Sequence, residues 1–331
     1  MKRAAVVVHP GKHDNLQNFQ SAVGKAMTGL GWAEPLWLET SLADSGEELS
    51  RSAVAAGVDV VIASGGDGTI TACVAGVAGT GVPLGVLPCG TGNLLARNLG
   101  LPLDLNAALA VALAGDDRLL DVGEANGQTF VVMAGLGFDA VMLAGTSELL
   151  KKHAGWLAYA LSGLRHLWDR PTRMTIKADD GPPLDRSASG VIIGNVGTLQ
   201  GNVHLLPDAV PDDGALDVAV LTAWGAIGWL VLASNVLRRR KTIQVTWLTC
   251  RELVVETRRA RPWQVDGDVI GFGRRLVVRV RPATLLVRVP AGPLAFPPLY
   301  DQPKREGRPS CAVGPFCSLV SVPVRAMIVA R

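Results

Sequence analysis

The sequence has few aromatics, few charges and no long apolar run, and each shortage narrows what the chain can be. Aromatic residues make up 5%, and the basic residues are not interleaved with them as in single-strand nucleic-acid binders, so nucleic acid is not an expected partner. The five cysteines, Cys73, Cys89, Cys250, Cys311 and Cys317, are odd in number and lack CxxC spacing. A disulfide framework and a zinc site are both disfavoured, small buried thiols are expected, and a reducing cytoplasm is the expected compartment. Mean hydropathy is +0.28, yet the longest apolar stretch, 222–236, holds Ser234 and Asn235 and soon meets Arg238. That is short of the roughly 20 apolar residues a membrane span needs. The apolar run 4–8 is broken by His9-Pro10-Gly11, which argues against a signal peptide. No Gly-rich loop continues into GKS or GKT, so a Walker A phosphate site is excluded.

What is present is material for a large core. Of 331 residues, 48% are hydrophobic and 38 are glycine, enough for one large or two ordinary domains. Charge is uneven: residues 1–124 carry seven Lys and Arg against thirteen Asp and Glu, and the remainder is basic. A basic C-terminal part suits anionic phosphates or an anionic membrane surface, and equally a solvated face.

The first third alternates strand and helix. Runs 4–8, 36–40, 58–63 and 84–87 read as strands, and 15–31, 43–56, 70–79 and 94–99 as helices. This predicts a parallel α/β sheet whose ligands sit at the strand C-termini. After about Asp121 short strand candidates follow one another (130–134, 173–178, 189–195, 216–221, 242–247, 252–256, 275–281 and 284–289), the pattern of an antiparallel sandwich or barrel. Helical stretches at 144–168 and 223–239 interrupt it. The expected organisation is an α/β domain over 1–124, a β-rich domain over 125–290 and an irregular tail over 291–331.

Two loops carry the chemistry. Ser64-Gly65-Gly66-Asp67-Gly68-Thr69 lies between a buried strand and a helix. Its glycines let the backbone approach a ligand, and the helix start offers N–H groups and a positive dipole end to phosphate. Thr69 adds a hydroxyl, and Asp67 suits a magnesium ion or its water. Alone, the loop is also a tight strand–helix turn. Pro88-Cys89-Gly90-Thr91-Gly92-Asn93 repeats the arrangement after the next strand, and two such loops side by side make a cradle for a nucleotide polyphosphate.

GGDGT followed by PCGTGNLLAR resembles the diacylglycerol kinase catalytic-domain family, which includes bacterial lipid kinases and is related to sphingosine kinases. The resemblance covers roughly residues 4–290. NAD kinases share the GGDG loop, and the PxGTxN loop favours the lipid kinases. The resemblance implies an NAD-kinase-like nucleotide-binding domain, ATP as phosphoryl donor and Mg2+. It extends to the glycine-rich turn 134–140, the helix 156–164 and Asn195. Over 207–217 it implies a structural magnesium on the Asp213 carboxylate and the Val210 and Ala215 carbonyls, though Asp213-Gly214 alone reads as a hairpin turn. Asp266-Gly267-Asp268 matches the family's DGE motif with Asp in place of the final Glu. One of these acids would accept the substrate hydroxyl's proton while Asp67 helps order the magnesium network. Asp266 is the favoured base, and Asp268 remains open. Asp67→Asn and Asp266→Asn are each expected to lose activity without unfolding. The first loop departs from the family's Asn-Pro start: here it is His9-Pro10-Gly11-Lys12, with Lys12 in reach of a phosphate. Thr40 aligns with a nucleotide-contacting position.

A lipid acceptor needs a route to the membrane. Trp and Leu over 149–168 and 223–241, with Arg238-Arg239-Arg240-Lys241 behind them, suit peripheral docking at an anionic surface; ordinary core helices account for them equally. The expected activity is ATP- and Mg-dependent phosphorylation of a diacylglycerol-like or sphingoid lipid. A kinase of a soluble nucleotide such as NAD and a non-catalytic nucleotide-binding regulator are the rivals. The residues leave assembly open between monomer and homodimer.

Overall fold

The computed structural model describes residues 1–137, 170–199, 203–238 and 242–291. The readings of residues 138–140, of the helix 144–168, of residues 239–241 and of the tail beyond 291 lie outside the described residues.

The N-terminal part is a parallel α/β layer: β1 (Ala4–Val8), α1 (Leu16–Gly29), β2 (Leu36–Glu39), α2 (Glu47–Ala55), β3 (Val60–Gly65), α3 (Asp67–Val77), β4 (Leu84–Pro88), α4 (Leu94–Asn98) and α5 (Leu105–Ala114). The strands pair in the order β2-β1-β3-β4, all parallel. Both faces are covered, so β1 is apolar throughout rather than alternating, and all five of its residues are buried. Ala4, Val6 and Val8 pack with Phe19, Val23 and Met27 of α1 and with α5. Ala5 and Val7 turn to the opposite face, towards Ala53 of α2 and Ile70, Cys73 and Val74 of α3. Each fully buried Val contributes about 1.5–3 kcal/mol relative to leaving it in water. Asn15 caps α1, its side chain accepting from the Asn18 N–H at 2.9 Å.

The C-terminal part is antiparallel: β5 (Asp116–Ala125), β6 (Gln128–Phe130), β7 (Met133–Gly137), β8 (Thr172–Ala178), β9 (Leu184–Ala188), β10 (Gly190–Gly194), β11 (Thr198–Leu199), β12 (Val203–His204), β13 (Leu216–Leu221), α6 (Gly225–Leu237), β14 (Val245–Cys250), β15 (Glu252–Val265) and β16 (Asp268–Val289). The parallel α/β layer and the antiparallel sandwich expected from the sequence are both present. They are joined: one sheet runs β14-β13-β10-β7-β15-β16-β4-β3-β1-β2 among the described residues. The join is β16, whose Val287 pairs in parallel with Leu84 of β4. Its long antiparallel partner is β5, with a register shift between Arg281 and Leu285. There the chain bends at Ala283, which has φ +46°.

Asp121 clamps that bend. It is buried, and its carboxylate accepts from the N–H groups of Ala283 (2.8 Å) and Gly214 (2.6 Å), while its own N–H donates to Pro211 (2.7 Å). One side chain therefore fixes both the strand bend and the 211–214 loop.

Candidate active site

Strand order reverses at β1, whose neighbours β2 and β3 lie on opposite sides, and in an open α/β sheet the ligand crevice opens at that point. The loops leaving β1, β2, β3 and β4 carry most of the residues picked out in the sequence. Pro10–Lys12 forms a 3-10 turn, with His9 Nδ1 accepting from the Gly11 N–H at 3.1 Å. The His9 N–H donates to the Ser64 carbonyl at 2.9 Å and ties the first loop to the second. Lys12 lies over Gly66: a Cβ built on that glycine would be 3.8 Å from its Cε. Thr40 follows β2 and donates its N–H to Val8. His13, which the sequence did not single out, places Nε2 at 3.2 Å from Ser64 Oγ and stacks on Phe19 at 3.9 Å. Burial, then the neighbouring His9, holds its pKa below the usual imidazole value.

The second and third loops are locked together. The Cys89 N–H donates to the Gly65 carbonyl at 2.9 Å. Asp67 opens α3, and its carboxylate accepts from two N–H groups of the third loop, Asn93 on Oδ2 (3.0 Å) and Leu94 on Oδ1 (2.6 Å). It thereby caps α4 from outside. Asn93 sits in the left-handed region at φ +48°, its amide closing on the Gly90 N–H and C=O at 2.9 Å each. Thr69 is buried against Gly65 and Thr91 is exposed. Burial pushes the Cys89 thiol up, which keeps it protonated beneath the loop rather than nucleophilic.

The approach of the loops depends on glycine. A Cβ on Gly90 would stand 2.8 Å from Gly66 Cα and 3.0 Å from Asn93 Oδ1. The first neighbour is backbone and can yield only by parting the loops. Gly90→Ala is expected to raise the KM for ATP at least about tenfold, measured by steady-state kinetics, with a smaller change in melting temperature.

The two acids of the 266–268 turn differ sharply. Asp266 and Gly267 connect β15 to β16 with φ +47° and +98°, the positive pair that a two-residue hairpin turn needs. Asp266 is 7% exposed. Its Oδ2 accepts from Thr71 Oγ1 (2.7 Å) and the Val131 N–H (3.0 Å), and its Oδ1 from the N–H groups of Val132 (2.9 Å) and Met133 (2.8 Å). Burial pushes its pKa up, against the pull of these four donors. The acid favoured from sequence as base is thus a buried knot tying α3, the 131–133 segment and the hairpin. Asn195 holds that segment from behind, donating from Nδ2 to the carbonyls of Asp121 (2.8 Å) and Val131 (3.2 Å). Thr71 was not picked out, although it lies four residues after Asp67 on one helical face.

Asp268 projects instead over the phosphate loop. A Cβ on Gly68 would lie 3.4 Å from its Oδ2. Its pKa is raised first by burial and second by the Asp67 charge. The carboxylate brought beside Asp67 is that of Asp268.

The implied metal position lies elsewhere, on the loop that Asp121 clamps. Asp213 is exposed and its Oδ1 accepts from the Ala215 N–H at 3.2 Å. The described residues contain no group of three or more His, Cys, Asp or Glu placed to hold a metal. A cation here would therefore rest on one carboxylate and the Val210 and Ala215 main-chain carbonyls, an oxygen-only set that fits a hard divalent ion.

Fold, paired glycine loops and overhanging acid together define a kinase of the diacylglycerol kinase catalytic-domain family, and the chain belongs to it. The diacylglycerol kinase catalytic domain matches residues 4–125 and the YegS C-terminal NAD kinase beta sandwich-like domain matches residues 130–289. Among relatives, a probable lipid kinase YegS-like from Pseudomonas aeruginosa is 36% identical over 264 residues, covering 77% of this chain and 83% of its own. Another from Pseudomonas putida is 31% identical over 297 residues, covering 88% and 96%. The fold is also that of a diacylglycerol kinase from Bacillus anthracis, with TM-score 0.68 at 19% identity over 88% of this chain and 97% of that one.

Proposed function

We propose that the chain transfers the γ-phosphoryl group of ATP to a hydroxyl of a diacylglycerol-like or sphingoid lipid, with Asp268 as the base. The observation that carries this reading is the overhang of Asp268 on Gly68, at the N-terminus of α3 and beside Asp67. Polyphosphate lies against the glycine loops, where the helix N-terminus and Lys12 offer positive potential. The acceptor hydroxyl gives its proton to Asp268, its oxygen bonds to Pγ, and the bond from Pγ to the β,γ-bridging oxygen breaks to release ADP. Asp266 acts through the turn it anchors, as a positioning residue. Magnesium, when bound with the nucleotide, would supply neutralisation of phosphate charge, and Asp67 would help order it through the lone pairs that Asn93 and Leu94 leave. Val210, Asp213 and Ala215 would hold a structural ion.

Labelled ATP offered with diacylglycerol, sphingosine and NAD tests the reading. Label in lipid supports it; label in NAD alone replaces it with a soluble-nucleotide kinase. Tight ATP binding with no transfer leaves a nucleotide-binding regulator.

The raised pKa of Asp268 gives a pH signature. A base must be ionised, so activity is present above its pKa and is lost as pH falls through it. Asp67→Asn removes the second cause of the shift. Carboxyl-carbon NMR of the metal-free protein is expected to show Asp268 titrating at lower pH in that variant than in the wild type; an unmoved titration would separate the two acids.

A further inference from the structure

Helix α6 is apolar on both faces, and one of them is exposed. Its inner face sets Leu232, Trp229 and Val236 against the main core. The outer face carries Ile227, Leu230 and Val231, 79%, 69% and 45% exposed. The N-cap Trp224 is 54% exposed and the C-cap Arg238 is exposed. Positions 227, 230, 231 and 238 are separated by three, four and seven residues, which places them on one side of the helix. Ile243, 99% exposed, extends the patch, because its neighbour Gln244 donates from Nε2 to the Gly228 carbonyl at 3.0 Å and holds that turn to the helix.

We infer that this outer face is the surface by which the chain docks on an anionic lipid bilayer. Charge selects the occupant. Residues 218–251 contain no Asp or Glu, whereas Arg238 is followed in sequence by Arg239, Arg240 and Lys241. Apolar side chains flanked by cations, with Trp at the helix start, match the apolar interior, headgroup level and anionic surface of a bilayer. A second copy would bring the same unbalanced positive charge to the interface. The helix has 13 residues, and no helix among the described residues is long and apolar enough to cross a membrane, so α6 lies along the surface. Trp224 and Trp229, grouped together in the sequence, thus have different tasks: the first faces outward and the second packs on the core. The inference rests on the lipid-kinase reading for its purpose and on the exposed face for its evidence.

Co-sedimentation of the full chain with phosphatidylcholine vesicles, with and without phosphatidylserine, tests it. Wild type is expected to bind the anionic vesicles and to be released by salt. Ile227→Ser/Leu230→Ser is expected to bind them at least about tenfold more weakly at an unchanged melting temperature. Arg238→Gln should weaken binding only at low salt, and Leu42→Ser/Leu103→Ser, which removes exposed leucines elsewhere, should bind as wild type does. Equal binding by Ile227→Ser/Leu230→Ser, or no binding by wild type, overturns the docking surface. So does sedimentation equilibrium showing a wild-type dimer that this pair of changes splits. Wild-type turnover of detergent-dispersed diacylglycerol is measured in parallel. Turnover without vesicle binding removes the docking surface alone, and binding without turnover of any lipid removes the kinase reading alone.

Discussion

Asp268→Asn is expected to lower kcat by about a hundred- to ten-thousand-fold, the usual worth of a positioned general base, while the urea midpoint stays within error of wild type. The carboxylate lies on the loop side of its turn, partly shielded from water by the glycine loop it overhangs, and packs in none of the apolar cores. An amide of nearly equal size fills the same space but takes no proton. The KM for ATP should change little, because the N–H groups of the glycine loops are untouched, so the loss falls on kcat and kcat/KM together. Asp268→Glu restores the family's longer arm and is expected to keep activity within about tenfold of wild type. Asp268→Asn turnover near wild type would remove Asp268 from the reaction.

Asp266→Asn is expected to act on folding first. Four donors converge on this carboxylate, and an amide has only one oxygen to receive them. Its NH2 group would meet backbone N–H groups, leaving buried donors unsatisfied at about 1–3 kcal/mol each. A destabilisation of about 3 kcal/mol or more is expected by urea unfolding, with an unchanged slope. Activity falls as well, because the turn that aims Asp268 loses its anchor. Thr71→Val removes only one donor, and its effect should be about 1 kcal/mol. Asp266→Asn with wild-type stability and no activity would return Asp266 to the role of base.

The contrast between these acids marks where the sequence stops being legible. The glycine loops could be read because a buried strand, a Gly cluster and a helix start are all local features, and β3, β4 and α3 lie where those features put them, with α3 starting early, at Asp67. Asp266 and Asp268 are the same residue type two positions apart. Their burial is decided by Val131, Val132, Met133 and Thr71, more than 130 residues away in sequence. Asp121 was invisible for the same reason. Helix α5 was not read because its sequence, LNAALAVALA, is apolar all round and gives no face to count. Strands β5 and β9 were also not read, as charged residues interrupt their apolar pattern. Strand β16 was read as two short pieces after a gap because Gly271, Gly273, Pro282 and Ala283 punctuate it. The structure runs it as one strand of 22 residues, bent rather than broken.

That strand also limits how the enzyme can move. Many phosphotransferases close over substrate by swinging two lobes about a flexible connection. Here the connection is β16 itself: its first residue is Asp268, and Val287 is bonded beside β4, which leads directly into the third phosphate loop. Asp268 and the third glycine loop are mounted on one beam, and Asp121 holds the beam at its bend. Lobe rotation would have to break the Val287–Leu84 pairing, so a movement of one part is passed through this strand to the other.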